Sequence, residues 1–179
     1  MFEPREISER VTMRVLRSTD APELVAAYVR NREHLAPWEP LRDDAFFTEE
    51  WQLNDIEHRT RAAKNGEGFS LALIENEQIV GRFNLAGITR GPFQSAGLGY
   101  WVDGAHTGRG LASAAVQAII TAARDELGLH RIEASTLVHN IASQTVLLRS
   151  GFEKIGMAPQ YLQIAGAWQD HNLYQIILH

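Results

Sequence analysis

The stretch that decides the fold is His106-Thr107-Gly108-Arg109-Gly110-Leu111-Ala112. It follows a predicted strand at about residues 96–102 and precedes the clearest predicted helix, in which apolar residues recur at helical spacing from residue 112 to residue 127. Small residues at positions 108, 110 and 112 allow the backbone to approach a ligand closely. The first amides of a helix have no intrahelical partner and carry a partial positive charge, so this turn suits an anionic pyrophosphate.

The same turn has a plainer interpretation, which is a tight connection that packs against a sheet and binds nothing. It lacks the Lys-Ser/Thr ending of a Walker loop, which argues against magnesium-dependent nucleotide hydrolysis. It also does not fit the glycine pattern of dinucleotide-binding folds. The rest of the chain therefore decides between a phosphate-binding turn and a structural one.

Strand and helix patterns on both sides of the turn predict an α+β fold. Apolar runs and alternation predict strands at residues 11–16, 69–75, 79–85, 96–102, 131–138, 152–156, 160–164 and 168–178. Helical spacing and capping residues predict helices at residues 20–31, 48–64, 112–127 and 142–150, and an ordered loop is predicted at residues 34–40. Together these segments predict a mixed, mostly antiparallel twisted sheet of about seven strands flanked by about four helices.

The composition is that of an ordinary globular protein. The chain has 179 residues, of which 45% are hydrophobic and 22% charged, so we expect a single self-folding domain over residues 1–179. The absence of cysteine excludes disulfides, thiolate zinc sites and a catalytic thiol, and the seven histidines form no pair with metal-ligand spacing. We therefore expect no metal.

Charge and hydropathy argue against two further classes of partner. The formal net charge of -5 disfavours direct binding of nucleic acid, because binding phosphates requires a positive surface. No apolar run is long enough to cross a bilayer, and the charged residues near the N-terminus are unlike a secretion signal. We expect a cytoplasmic protein that does not bind membranes and exists as a monomer or a homodimer.

The glycine-rich turn resembles the pyrophosphate loop of the GNAT superfamily of N-acetyltransferases, Gln/Arg-x-x-Gly-x-Gly/Ala, with Thr107 in place of the usual Gln or Arg. A second resemblance follows in Asn140-Ile141-Ala142-Ser143 and Ser150-Gly151-Phe152, which are similar to the family's Asn-x-x-Ala/Ser helix closing in Gly-Phe. The resemblance implies the GNAT fold and acetyl-CoA as cosubstrate. The residues that it implies for binding acetyl-CoA are Trp101, Val102, Thr107, Gly108, Arg109, Gly110, Leu111, Ala112, Asn140 and Ser143.

The likeness is strongest to the RimJ/RimL type of ribosomal-protein N-acetyltransferase, and it extends over most of the chain through residues 31–40, 99–102 and 161–171. It implies that the acceptor is the N-terminal amine of a protein, such as a ribosomal protein. We expect the amine to attack the thioester directly in a ternary complex. An α-amino group has an unperturbed pKa near 8, so a weak base is sufficient.

Departures from the family pattern move the catalytic roles to other residues. Many relatives carry a tyrosine seven residues after the Asn as the general acid, and this chain has Leu147 there. The resemblance makes Ser143 the candidate acid, although a serine at a helix start could equally be a cap. Relatives often place a carboxylate where this chain has Gln160. The candidate bases are then Glu133 first and Asp170 second, and each could as easily be a structural hydrogen-bond partner.

The acceptor pocket has four candidate residues, His34, Trp38, Tyr161 and Asp170, although the aromatic ones could instead pack loops. The first alternative acceptor is a small amine, such as a polyamine or an amino-sugar antibiotic. It would favour an acidic pocket built from residues such as Glu39, Asp43 and Asp44. The second alternative is a CoA-binding module without catalysis, which the missing tyrosine and the Gln at position 160 would favour.

Overall fold

The computed structural model describes residues 2–178, and one mixed sheet runs through this range. Its strands are β1 (Arg5–Ser8), β2 (Val11–Val15), β3 (Gly68–Glu75), β4 (Gln78–Thr89), β5 (Ser95–Val102), β6 (Arg131–Leu137), β7 (Glu153–Ile164) and β8 (Ala167–Ile177). The helices are α1 (Ala21–Arg30), α2 (Arg32–Leu35), α3 (Glu49–Lys64), α4 (Leu111–Asp125) and α5 (Ile141–Arg149). Within this range no helix combines the length and the apolar character needed to cross a membrane.

The strands lie in the order β1-β2-β3-β4-β5-β6-β8-β7. All neighbouring strands are antiparallel except β5 and β6, which are parallel. A parallel pair needs a crossover connection, and α4 provides it between β5 and β6. The glycine-rich turn opens this crossover helix, which places it at the end of β5.

Each face of the sheet has its own core, because successive residues of a strand point to opposite faces. On one face, Leu73 of β3 belongs to a cluster with Val116 and Ile119 of α4. On the other face, Ala72 belongs to a cluster with Ile56 of α3. Burial of an isoleucine or valine side chain contributes roughly 2 kcal/mol to stability. The two cores therefore fix the helices on both sides of the sheet.

Most predicted elements are confirmed, but the sheet has one strand at its first edge that the sequence does not predict. The segment Arg5–Ser8 reads Arg-Glu-Ile-Ser and offers a single apolar residue, which is too little for a strand pattern. It forms β1 because it pairs with β2, from Arg5 opposite Met13 to Ser8 opposite Val11. Tertiary pairing outweighs the weak local signal here.

The strands predicted at residues 152–156 and 160–164 are one strand, β7, with an irregularity between Ala158 and Leu162. Pro159 lies in this interval and has no amide to donate to a ladder. Gln160 follows with a left-handed φ of 48°, and its amide donates to the Asp170 carboxylate at 2.9 Å. The side chain of Asp170 thus holds the bulge together, and β7 continues to pair with β8.

The predicted loop at residues 34–40 begins inside the short helix α2. Helix α1 ends at Arg30, and Asn31 has a φ of -104° and a ψ of 11°. The Asn31 side-chain Nδ2 donates to the Asp103 carboxylate at 2.8 Å, and the Gly104 backbone amide donates to the Asn31 side-chain oxygen at 2.9 Å. These two bonds tie the segment after α1 to the end of β5.

Candidate active site

A cleft opens where β5 and β6 separate. In the part of the chain that the structure describes, the two strands pair only from Ser95 opposite Arg131 to Gly97 opposite Glu133. Beyond this point β5 continues to Val102 without β6 beside it. A cavity of about 620 Å³ lies here, lined by residues from β5, the glycine-rich turn, α5 and the segment after α1. This volume lies within the range of small-molecule and cofactor sites.

The glycine-rich turn forms one wall of the cavity. Gly108 and Gly110 both have a φ of 75°, a left-handed conformation that glycine adopts without the steric cost of a side chain. Gly110 precedes α4 and supplies no side-chain cap. The amides at the start of α4 therefore stay available to a ligand, with the helix dipole behind them. Every residue from 107 to 112 lines the cavity except Arg109.

Arg109 points away from the cavity towards β3. Its guanidinium donates to both carboxylate oxygens of Glu75, at 2.7 and 3.0 Å. Hydrogen bonding from Arg109 is the main cause that lowers the pKa of Glu75 to about 2, and His106 adds to the effect. Glu75 is therefore ionised at neutral pH. The Arg109 side chain serves to hold the turn, so only its backbone remains as part of the predicted donor site.

Asp103 anchors the other side of the turn. Its buried carboxylate accepts hydrogen bonds from Arg30 at 2.9 Å, Asn31 at 2.8 Å and the Ala105 amide at 2.8 Å. Burial by itself would raise the pKa of Asp103, but the hydrogen bonds from Asn31 and Arg30 hold that pKa well below its usual range. His106 lies between the two carboxylates, 3.2 Å from Asp103 and 3.0 Å from Glu75. These contacts between protein groups therefore hold the turn in its shape.

A pair of hydroxyl groups stands between the walls of the cleft. The Tyr100 hydroxyl lies 3.0 Å from the Ser143 Oγ. Asn140 caps α5 by accepting from the Ser143 amide at 3.1 Å, so the interpretation of Ser143 as the helix cap is wrong. Burial raises the pKa of Tyr100 to about 12, so this hydroxyl keeps its proton at neutral pH and can donate to Ser143. Both residues line the cavity.

The segment after α1 closes one end of the cavity. His34 and Trp38, which the sequence suggests for an acceptor pocket, line this end together with Glu39. The His34 Nε2 lies 3.2 Å from the Val102 carbonyl oxygen. The Trp38 ring lies 5.5 Å from the ring of His139, so this segment touches the loop before α5. The predicted donor residues Trp101, Val102 and Asn140 line the same cavity.

Besides Arg109, three of the predicted site residues lie outside the cavity lining. Asp170 caps the bulge at Gln160, and the Tyr161 ring lies 5.7 Å from the ring of His171 in the same hairpin. Glu133 is partly exposed on β6, with its carboxylate 3.6 Å from the Arg131 guanidinium. The structure therefore gives these three side chains local partners and does not bring them together with Ser143.

The cavity also contains residues to which the sequence gave no catalytic role. Tyr100 lies in the range 99–102 that resembles the family, and Glu39 was expected only in the acidic pocket of the small-amine alternative. Val146 and Arg149 follow Ala142 on α5 at spacings of four and seven residues. This is the spacing of one helix face, so helical periodicity counted from Ala142 could have identified them. The Arg149 guanidinium brings a positive charge to the cavity that could meet an anionic donor.

A comparison with protein families decides the identity of the fold. Residues 10–153 match the family described as Acetyltransferase (GNAT) domain. The chain belongs to the GNAT acetyltransferase family. The start of α4, where the sequence predicts the pyrophosphate of the donor, has no side-chain cap.

Similar proteins cover nearly the whole GNAT chain. The ribosomal protein uS5-alanine N-acetyltransferase of Escherichia coli is 35% identical over 172 residues, which are 94% of this chain and 88% of that protein. A ribosomal-protein-S5-alanine acetyltransferase from Vibrio fischeri superposes with a TM-score of 0.94 at 36% identity, covering 98% of this chain and 96% of that one. RimJ of Mycobacterium smegmatis in complex with CoA-disulfide superposes with a TM-score of 0.89 at 30% identity, covering 93% and 81%.

Two expectations from the sequence are thereby confirmed. The fold is the GNAT fold, and the protein is an N-acetyltransferase that takes its acetyl group from acetyl-CoA. Among the side chains that the structure describes, no group of three or more His, Asp or Glu residues could hold a metal ion.

The left-handed conformation at Gly110 yields the first prediction. Gly110→Ala forces a side chain into this conformation, which costs roughly 1–2 kcal/mol, and the helix start should shift to relieve it. We expect about a tenfold weaker affinity for acetyl-CoA, the equivalent of about 1.4 kcal/mol, measured by isothermal titration calorimetry.

Gly66→Ala is the matched control. Gly66 has a φ of 74°, and a Cβ there would meet no atom within 4 Å, as at Gly110. It lies in the turn between α3 and β3, so its substitution should lower stability to denaturant by a similar amount without weakening acetyl-CoA binding. Equal affinities for both variants would contradict a donor site at the glycine-rich turn.

Proposed function

We propose that this enzyme acetylates the N-terminal α-amino group of a protein, and that the acceptor is a ribosomal protein. The proposal is carried by one continuous cavity, in which Ser143 shares space with His34 and Trp38 from the predicted acceptor segment. The names of the similar proteins from Escherichia coli and Vibrio fischeri support the choice of a ribosomal-protein acceptor.

In the proposed mechanism the two substrates react directly. The amine nitrogen bonds to the thioester carbonyl carbon, and the bond from that carbon to sulfur breaks. Ser143 donates its hydroxyl proton to the departing sulfur, and the Tyr100 hydroxyl, 3.0 Å away, stands ready to return a proton to Ser143. The donor lies against Trp101 and Val102 on β5 and against the backbone of the glycine-rich turn, with its pyrophosphate on the first amides of α4.

The small-amine alternative depends on an acidic acceptor pocket. Two of the three carboxylates expected to build that pocket do not line the cavity. Asp43 accepts a hydrogen bond from the Phe46 amide at 3.1 Å and caps a turn. The Asp44 side chain is 98% exposed and lies 3.5 Å from Arg32. Glu39 alone of the three lines the cavity. These positions favour a protein N-terminus over a polycation as the acceptor.

The proposed acceptor also implies a cellular compartment for the reaction. Ribosomal proteins are made in the cytoplasm, so the reaction would take place there. A single domain, a monomeric or homodimeric state and the absence of direct nucleic-acid binding stay predictions.

The acceptor is tested with a panel of amines. We expect acetylation of peptides that begin with Ala or Ser and carry an internal Lys. At neutral pH an α-amine is neutral on the order of a hundred times more often than a Lys ε-amine, so mass spectrometry should find the acetyl group at the N-terminus. The same peptides with a blocked N-terminus are the control and should remain unmodified. Acetylation of spermidine alone would overturn the proposed acceptor.

The role of Ser143 is tested by Ser143→Ala. Removal of a general acid should lower kcat by about a hundredfold and leave the affinity for acetyl-CoA nearly unchanged, as measured by steady-state kinetics and calorimetry. Thr145→Ala is the control, because it removes a hydroxyl from the same helix that donates to the Ile141 carbonyl. An unchanged kcat in the Ser143 variant would exclude this residue as the acid.

A further inference from the structure

A second, smaller pocket adjoins the donor cavity on the α1 and α3 side of the sheet. It has a volume of about 210 Å³, and polar groups line it, including Arg42, Asp55, Arg82 and Asn84. Glu39, Tyr100 and Trp101 line both spaces. These three side chains therefore stand at the boundary where an acceptor that enters through the small pocket would meet the donor.

The backbone of Glu39 is held from two sides. Its amide donates to the Leu35 carbonyl at 3.2 Å, which ends the short helix α2. Its carbonyl accepts from the Ala165 amide at 2.9 Å, in the turn of the β7–β8 hairpin. Because both contacts use the main chain, they leave the carboxylate free to face the boundary between the two pockets. The side chain is 21% exposed, so it is sheltered and still reachable.

The Glu39 carboxylate has a cationic neighbour but no tight partner. The Arg42 guanidinium lies 3.7 Å away, which is beyond hydrogen-bond distance. Arg42 is itself positioned over the Phe46 ring, 4.4 Å from its centre. The carboxylate oxygens therefore keep lone pairs that can accept a proton or a hydrogen bond from a ligand.

We propose that Glu39 is the general base of the reaction and takes the proton that the acceptor amine loses as it attacks the thioester. The proposal rests on the proposed function insofar as it needs an amine acceptor, and it extends to any amine that the enzyme acetylates. Glu39 then serves as a catalytic residue that contacts the attacking nitrogen.

The surroundings suit a base. Burial raises the pKa of Glu39, while the neighbouring Arg42 and the charge of Arg82 oppose this shift. A carboxylate with a raised pKa binds a proton more strongly, which suits a general base. The other charged or titratable groups that line the two pockets are Tyr28, His34, Asp55, Arg59, Tyr100, His106 and Arg149.

The other carboxylate in the small pocket is already engaged. Asp55 accepts from Arg82 at 2.7 Å and from Arg59 at 2.9 and 3.0 Å. Although burial opposes the shift, the charge and hydrogen bond of Arg82 lower the pKa of Asp55 and make it a poor base. Glu133 and Asp170 lie outside both pocket linings and have local partners. Glu39 is thus the carboxylate that combines access with free acceptor sites.

The proton balance closes without a further reactant. The neutral amine forms the carbon–nitrogen bond, and one of its protons passes to the Glu39 carboxylate as the carbon–sulfur bond breaks. The sulfur takes the Ser143 hydroxyl proton. The proton on Glu39 returns through solvent to the Ser143 and Tyr100 pair, so the products are the amide and the CoA thiol.

The test is Glu39→Gln, which removes the base and keeps the size of the side chain. We expect kcat to fall by about a hundredfold, while the affinity for acetyl-CoA changes less than about twofold. Below the pKa of Glu39, the wild-type kcat/KM requires two deprotonations, of the amine and of Glu39. The slope of log kcat/KM against pH should therefore fall from about two to about one in the variant.

Two further variants make the result specific. Glu33→Gln makes the same chemical change at an exposed position of α2 and should behave like the wild type. Glu39→Asp keeps a carboxylate on a shorter side chain, so it should recover part of the lost kcat and restore the steeper slope. A merely structural role would lower acetyl-CoA affinity or stability in Glu39→Gln and would leave the slope unchanged.

The outcomes separate the two proposals. Turnover by the wild type on the amine panel tests the acceptor, whereas the ratio of variant to wild type on any acetylated amine tests Glu39. Wild-type kcat and slope in Glu39→Gln would overturn the role of Glu39 and leave the peptide acceptor intact. If Glu39→Gln kept the wild-type kcat and Glu133→Gln lost it, the base would be Glu133. A wild-type protein that binds acetyl-CoA and acetylates no amine would overturn both proposals.

Discussion

The opening between β5 and β6 depends on where their backbone hydrogen bonds stop. The two parallel strands pair only up to Gly97 and Glu133, although β5 continues to Val102 and β6 to Leu137. They can separate because each keeps its other neighbour: β5 stays paired with β4 to Val102, and β6 stays paired with β8 to Leu137. Each strand therefore lacks backbone hydrogen bonds along one edge only. A substrate bound in the opening can pair its own polar groups with the backbone groups of that edge.

The wall between the two pockets depends on a buried charge. Arg82 is 3% exposed, and a buried guanidinium is tolerated only when it is paired and hydrogen-bonded. It donates to Asp55 at 2.7 Å, to Ser70 at 3.1 Å and to the Tyr28 hydroxyl at 3.2 Å. The Trp101 indole donates to the same hydroxyl at 3.2 Å. The network thus joins α1, α3, β3, β4 and β5 and fixes Trp101 at the boundary between the two pockets.

Features that depend on a few neighbouring residues could be predicted from the sequence, and features that depend on distant partners could not. The left-handed glycines and the start of α4 follow from local chemistry, so the turn was predicted correctly in position. The bulge at Gln160 needs the carboxylate of Asp170 from the next strand, and the sequence instead suggested two strands. The location of Glu39 depends on an amide in the β7–β8 turn. No local pattern distinguishes it from the neighbouring acidic residues.

The loss of the family tyrosine on α5 has a structural reason. Leu147 at that position is fully buried in the core shared with α4, so α5 uses this face to pack against the sheet. A hydroxyl at position 147 would need a buried partner, and leaving it unpaired would cost about 1–3 kcal/mol. In the proposed mechanism the proton comes instead from Ser143, which lines the cavity. Tyr100 of β5 reaches across to Ser143 and places a phenol in contact with the start of α5. The chain therefore retains a tyrosine hydroxyl at the cleft, but it arrives from the strand on the opposite wall.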